Sequence, residues 1–148
     1  MDVTRSLARY VVDATYESLP AEVIHEAKRS LLNWMGVAIG GCRHEAVEIA
    51  LATVAEFSGP PRASVLGRTE RLDILHAALI NGMSSHVFDF DDTHLATVIH
   101  PSGPVAPGLL AIAETRPVSG KDLLLAFVLG VEVECRIGRA VYPSHYDQ

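Results

Sequence analysis

The chain has 148 residues, 49% of them apolar and 20% charged, with a formal net charge of −6. That is enough apolar material for one domain with a buried core, and the charge is too low for a disordered segment. The acidic balance, with no Lys/Arg cluster, argues against nucleic acid or an anionic membrane surface as a partner. Two cysteines, Cys42 and Cys135, are too few for a disulfide framework and lack metal-ligand spacing. They read as small buried thiols in a reducing compartment.

In chain order, Leu7, Tyr10, Val11 and Ala14 recur at helical spacing and predict a first amphipathic helix. Ser18-Leu19-Pro20 breaks it, and proline opens the next helix well because a first-turn N–H has no helical partner. The second helix carries Ile24, Ala27, Leu31, Trp34 and Ala38 on one stripe. Gly40-Gly41 is expected to end it by adopting the left-handed conformation common at helix C-termini. A third helix is predicted over 44–57, with Ala46, Ile49, Ala50, Val54 and Phe57 aligned. Gly59-Pro60-Pro61 stops it, and Ala63 to Leu66 reads as a short extended segment. A fourth helix is predicted over 70–85, with Leu72, Leu75, Ala78 and Leu79 as its apolar face and Asn81-Gly82 as a late weak point. A polar loop covers 87–99, and a fifth helix runs from Pro101 to about Glu114. Ser119-Gly120-Lys121-Asp122 is a capping-box pattern that opens a last helix, with Leu124, Phe127, Val128, Val131 and Cys135 on one face.

There is no internal repeat, no low-complexity tract and no strand–helix alternation. The expected fold is therefore all-α, a bundle of about six helices in one domain over 1–148. The opening "MDVTRSLARYVVDATYESLP" has early charges and no apolar h-region. "LLNWMGVAIGG" and "DLLLAFVLGVEVE" are too short or too charged to span a bilayer. A cytoplasmic protein without a membrane partner is the expectation. The wide apolar faces of the second and last helices, followed by the polar ending "PSHYDQ", imply closure of the helices on one another or cover by a partner.

The chemistry concentrates in "HVFDFDDTHLATVIHPS", His86 to Ser102. Three readings compete. Asp89-Phe90-Asp91-Asp92-Thr93 fits DxDxT and resembles the first motif of the haloacid dehalogenase superfamily of phosphatases. That chemistry needs the nucleophilic aspartate at the end of a buried parallel strand, with Mg²⁺ held nearby. Here "LDILHAALINGMSSH" precedes it and reads as helix, and no later acidic pair follows. The second reading is a metal site drawn from His86, Asp89, Asp91, Asp92, His94 and His100. No HExxH or paired ExxH pattern supports it.

The third reading rests on "NGMSSHVFDFDDTH" followed by "HPSGPVAPGLLAIAE". These segments resemble the MmgE/PrpD family, which includes 2-methylcitrate dehydratase, cis-aconitate decarboxylase and iminodisuccinate epimerase-like proteins. "LPAEVIHEAKRSLLNWMGVAIGG", "ASVLG" and "SGKDLLLAFVLGVEVECRIGRA" are similar to the family as well, so the resemblance runs along the whole chain. It implies the N-terminal part of the family's helical domain. It further implies a lyase or isomerase that needs no metal and no organic cofactor and moves protons beside a carboxylate of a small di- or tricarboxylate. Asp89, Thr93 and His100 match positions lining the family's site. His100 would be a general acid/base, Asp89 would orient a histidine or exchange a proton, and Thr93 would hydrogen-bond a substrate carboxylate. The physics of helix ends adds Ser102, with the free N–H groups opening the fifth helix, as a substrate-binding anion seat.

Plainer roles stand beside these. Asp91 and Asp92 cap or solvate the loop, Thr93 caps a turn, His94 faces solvent and His86 is a C-terminal helix cation. His25, His44 and His76 lie within helical patterns and carry no assigned chemistry. Asn33 stands where many family members have aspartate. Family enzymes are about three times longer and continue into an α/β domain, with another histidine and the basic residues that hold carboxylates. The expectation is thus a chain inactive by itself, completed by a C-terminal polypeptide. The alternative is a truncated remnant that folds and self-associates without catalysis. A homodimer is expected in either case.

Overall fold

A computed structural model describes residues 2–144; His145 to Gln148 of the polar ending lie outside the described residues. The fold is all-α, as the periodicity predicts. Its helices are α1 (Val3–Asp13), α2 (Ala21–Gly41), α3 (Glu45–Ala55), α4 (Ile74–His86), α5 (Ser102–Ala113) and α6 (Gly120–Val141). One antiparallel pair, β1 (Ala63–Ser64) with β2 (Arg71–Leu72), is inserted between α3 and α4. No helix among the described residues is long and apolar enough to cross a membrane.

Local chemistry explains where the helices start. The Asp2 side chain caps α1 at the Arg5 N–H, and His44 Nδ1 accepts from the Ala46 N–H at the head of α3. Asp73 accepts from the N–H groups of Leu75 and His76 to begin α4. Its carboxyl lies well below the ordinary carboxylate range, chiefly because His76 hydrogen-bonds to it. Ser119 Oγ accepts from the Asp122 N–H at 3.1 Å, as the capping-box pattern predicts for α6.

Two clusters form the core, and α4 packs most extensively on α5 and α2. One cluster joins Val47 and Leu51 of α3 to Ala63, Val65, Leu72, Ala77 and Ile80. The other joins Ala27 and Trp34 of α2 to Ala106 of α5 and Phe127 of α6.

Several expectations are corrected. The buried stripe of α3 is Val47 and Leu51, while Ile49 and Phe57 are exposed. The fourth helix starts four residues later than predicted, because Arg71–Leu72 pairs with β1 first. Its buried face is Ala77, Ile80, Asn81, Ser84 and Ser85, whereas Leu75 and Leu79 face outward. Asn81 is no weak point. It accepts from the Leu66 N–H at 2.8 Å and donates to the Ser64 carbonyl at 2.9 Å, clamping the hairpin to α4. Nor does Gly41 adopt a left-handed cap, since Gly67 is the positive-φ glycine. Gly41 is instead where α2 meets α4: a Cβ there would run into the Ser84 carbonyl. Finally, α1 has an amphipathic sequence, yet none of its residues is buried.

Candidate active site

The site loop leaves the C-terminus of α4 after His86 and enters α5 at Ser102. Both ends are anchored in the core, because Ser84, Ser85 and Ser102 are buried. The Val87 N–H donates to the Met83 carbonyl and the Asp89 N–H to that of His86, closing the helix. Asp89 then takes a left-handed conformation with φ 52°, which aspartate tolerates better than most residues. The three aspartates of the loop meet three environments.

Asp89 has a side chain 77% exposed, while that of Asp91 is 1% exposed. Asp92 turns to α5, accepting from Ser102 Oγ at 2.6 Å and from the Ser102 N–H at 3.2 Å. The later loop is a tight turn in which the His94 N–H donates to the Ile99 carbonyl and the Thr97 and Val98 N–H groups to that of His94. His94 Nδ1 lies 2.7 Å from Thr97 Oγ1, which is fully buried. Val98 has φ 55°, a strained conformation for a β-branched residue. This turn delivers His100 back beside His86, with ring centroids 5.0 Å apart.

His100 sits between two carboxylates. Its Nε2 is 3.5 Å from Asp89 Oδ1 and its Nδ1 is 3.4 Å from Asp91 Oδ1. His86 Nδ1 lies 3.2 Å from each oxygen of Asp91. Ligand-type atoms of His86, Asp89, Asp91 and His100 all fall within 4.8 Å of one another. Two imidazoles and two carboxylates are also a donor set that suits a divalent cation. Asp92 and His94 are outside this group, engaged by Ser102 and Thr97.

Of the residues singled out in the sequence, the fold brings Asp89 and His100 together. Thr93 is exposed on the same loop and makes no hydrogen bond among the described residues. Ser102 is fully buried, and the anion at its helix end is the chain's own Asp92. Asn33 of α2 reaches the loop, donating to the Phe90 carbonyl at 3.4 Å. The sequence offers Asp91 as a loop cap or as one of six candidate metal ligands, and gives no sign of Glu134. Burial pushes the Glu134 carboxyl up, and the negative charge of Asp92 adds to the effect. No Lys or Arg among the described residues pairs with an aspartate of this loop. A surface cleft of about 620 Å³ between α1 and α6, lined by Tyr10, Glu132, Arg136 and Arg139, touches the loop at His94 and not at the His100 pair.

Comparison with known proteins agrees with this architecture. Residues 5–148 match the MmgE/PrpD N-terminal domain. The cis-aconitate decarboxylase of Homo sapiens is 39% identical over 141 residues, covering 91% of this chain and 29% of that protein. The Mus musculus enzyme of the same name is 38% identical over 91% of the chain and 28% of its own length. That of Aspergillus terreus is 27% identical over 96% of the chain and 30% of its own length. The chain thus spans less than a third of each of these relatives. With residues 5–148 matched to its N-terminal domain, the chain belongs to the MmgE/PrpD family.

Proposed function

We propose that this chain forms the N-terminal part of a cofactor-independent lyase or isomerase that moves a proton beside a carboxylate of a small di- or tricarboxylate. The observation that carries the reading is His100, held between an exposed and a buried carboxylate 3.5 and 3.4 Å away. A histidine titrates near neutrality, so it can both take and give a proton at working pH. Asp89, exposed beside Nε2, exchanges that proton or orients the ring. Thr93, exposed and without a hydrogen-bond partner among the described residues, hydrogen-bonds a substrate carboxylate. Ser102 contributes through α5: by holding Asp92 it fixes the segment that ends in His100.

The relatives named for cis-aconitate decarboxylation favour that substrate class. In such a reaction the C–C bond to the departing carboxylate breaks, CO₂ leaves, and the electron pair stays on carbon. Protonated His100 then supplies the proton that carbon needs. A polycarboxylate also requires cations, and the groups gathered around His100 are imidazoles and carboxylates. For that reason the chain is expected to be inactive alone and to act with a C-terminal polypeptide of the family. Exposed Phe88, Phe90 and Leu95, which flank Asp89 and Thr93, give such a polypeptide, or a second copy in a homodimer, an apolar surface to cover.

The test is CO₂ release from cis-aconitate by the purified protein, alone and with a C-terminal family polypeptide. Activity is expected in the mixture. Replacing Thr93 by valine should raise KM about tenfold there, the loss of one hydrogen bond to a charged group. Full turnover by the chain alone would overturn the two-part reading.

A further inference from the structure

Resting on the acid–base reading of His100, we propose that Asp91 is a positioning residue that fixes the tautomer of His100 and ties it to His86. Asp91 is the buried member of the aspartate trio, with a side chain 1% exposed. Its carboxylate is shared: both oxygens lie 3.2 Å from His86 Nδ1, and Oδ1 lies 3.4 Å from His100 Nδ1. His100 Nδ1 is buried and makes no hydrogen bond among the described residues, and the carboxylate beside it is Asp91, with Oδ1 3.4 Å away. A buried N–H without an acceptor is costly, whereas an N–H aimed at a carboxylate is favoured.

The two ring nitrogens of His100 therefore have different duties. Nδ1 carries the proton toward Asp91 in the interior. Nε2 is left as the basic nitrogen on the side of the exposed Asp89 carboxylate, 3.5 Å away. A histidine whose inner nitrogen is held by a buried carboxylate keeps its outer nitrogen free to accept a proton, and the imidazolium formed is stabilised by the same anion. His86 competes for that anion. Its ring lies against His100 at 66°, and its own side chain is 57% exposed. The two imidazoles thus draw on one counter-charge, and removing one strengthens the hold on the other.

The test is nitrogen NMR of the full chain with ¹⁵N-labelled histidine, at a pH where the imidazoles are neutral. Wild type is expected to show His100 with Nδ1 protonated and Nε2 bare. Asp91→Ala should shift His100 to the Nε2–H form or an even mixture, while Asp89→Asn should leave the Nδ1–H form in place. His86→Gln, at an exposed position, keeps the measurement decisive if Asp91→Ala does not fold. It should move the His100 Nδ1 proton downfield as Asp91 becomes undivided. A His100 tautomer unchanged by Asp91→Ala, or a Nδ1 proton unmoved by His86→Gln, would overturn the proposal. Failure here is separable from failure of the acid–base reading. If Asp91→Ala changes the tautomer while His100→Gln retains turnover in the complemented enzyme, the positioning stands and the acid–base role falls. If Asp91→Ala leaves the tautomer alone while His100→Gln loses turnover, the positioning falls.

Discussion

Replacing Arg68 by methionine should cost about 3 kcal/mol of folding stability, and the deficit should shrink in acid. The Arg68 side chain is 4% exposed and joins three separate pieces of chain. It donates to Glu48 of α3 at 2.6 and 3.1 Å, to Glu70 before β2 at 2.8 Å, and to the Cys42 carbonyl after α2 at 2.8 Å. Fully buried hydrogen bonds to charged groups contribute about 1.5–3 kcal/mol each. Here the carboxylate side chains are 44% and 41% exposed, so solvent screening brings the ion pairs well below that range. The orphaned Cys42 carbonyl adds about 1–2 kcal/mol, and methionine keeps most of the packing. Hydrogen bonding by Arg68 holds the Glu70 carboxyl down at about 2, against 4.5 for the free group. A lowered folded-state pKa means that this part of the stability is complete above about pH 4.5 and is lost as pH falls toward 2. Urea unfolding followed by far-UV circular dichroism measures both effects. A deficit under about 1 kcal/mol at neutral pH, or one that stays constant down to pH 2, would refute the reasoning.

Two further variants probe the packing that places the site. Gly41→Ala should destabilise by about 3 kcal/mol or more, because its Cβ meets the Ser84 backbone and α2 must move off α4; thermal unfolding reads this directly, and a neutral result would mean that the two helices are not in close contact. Ser102→Ala should cost about 2 kcal/mol by removing the 2.6 Å bond to Asp92. It should also speed amide exchange in the first turn of α5, and unchanged exchange there would separate Asp92 from the start of that helix.

Helix positions were legible because each interior carries its own apolar period, and at α6 because the Ser119–Asp122 capping box marks the start. The faces were harder. Over the predicted 44–57 segment, Ile49 and Phe57 on one side and Val47 and Leu51 on the other offer two apolar stripes, and only the placement of the hairpin and α4 selects the second. The same ambiguity put Leu75 and Leu79 on the wrong side of α4. Two-residue strands hold too little alternation to be read, so β2 was absorbed into the following helix. At the site, the loop and the Asp89–His100 pairing followed from motif resemblance. Which of three neighbouring aspartates is buried did not, because that depends on tertiary contacts: Asp91 lies against His86 and His100, and Asp92 against Ser102. Glu134 carries no local signal at all. It stands in a helical period on α6, and only tertiary packing brings it near Asp92.

The acid–base role of His100 is tested most directly by proton exchange. The complemented enzyme is incubated with a carboxylate substrate in deuterium oxide, and deuterium incorporated at carbon is measured for wild type and His100→Gln. Incorporation should fall by about 10²–10⁴-fold in the variant, with α-helical content unchanged. Incorporation at the wild-type rate in a folded His100→Gln protein would contradict the account.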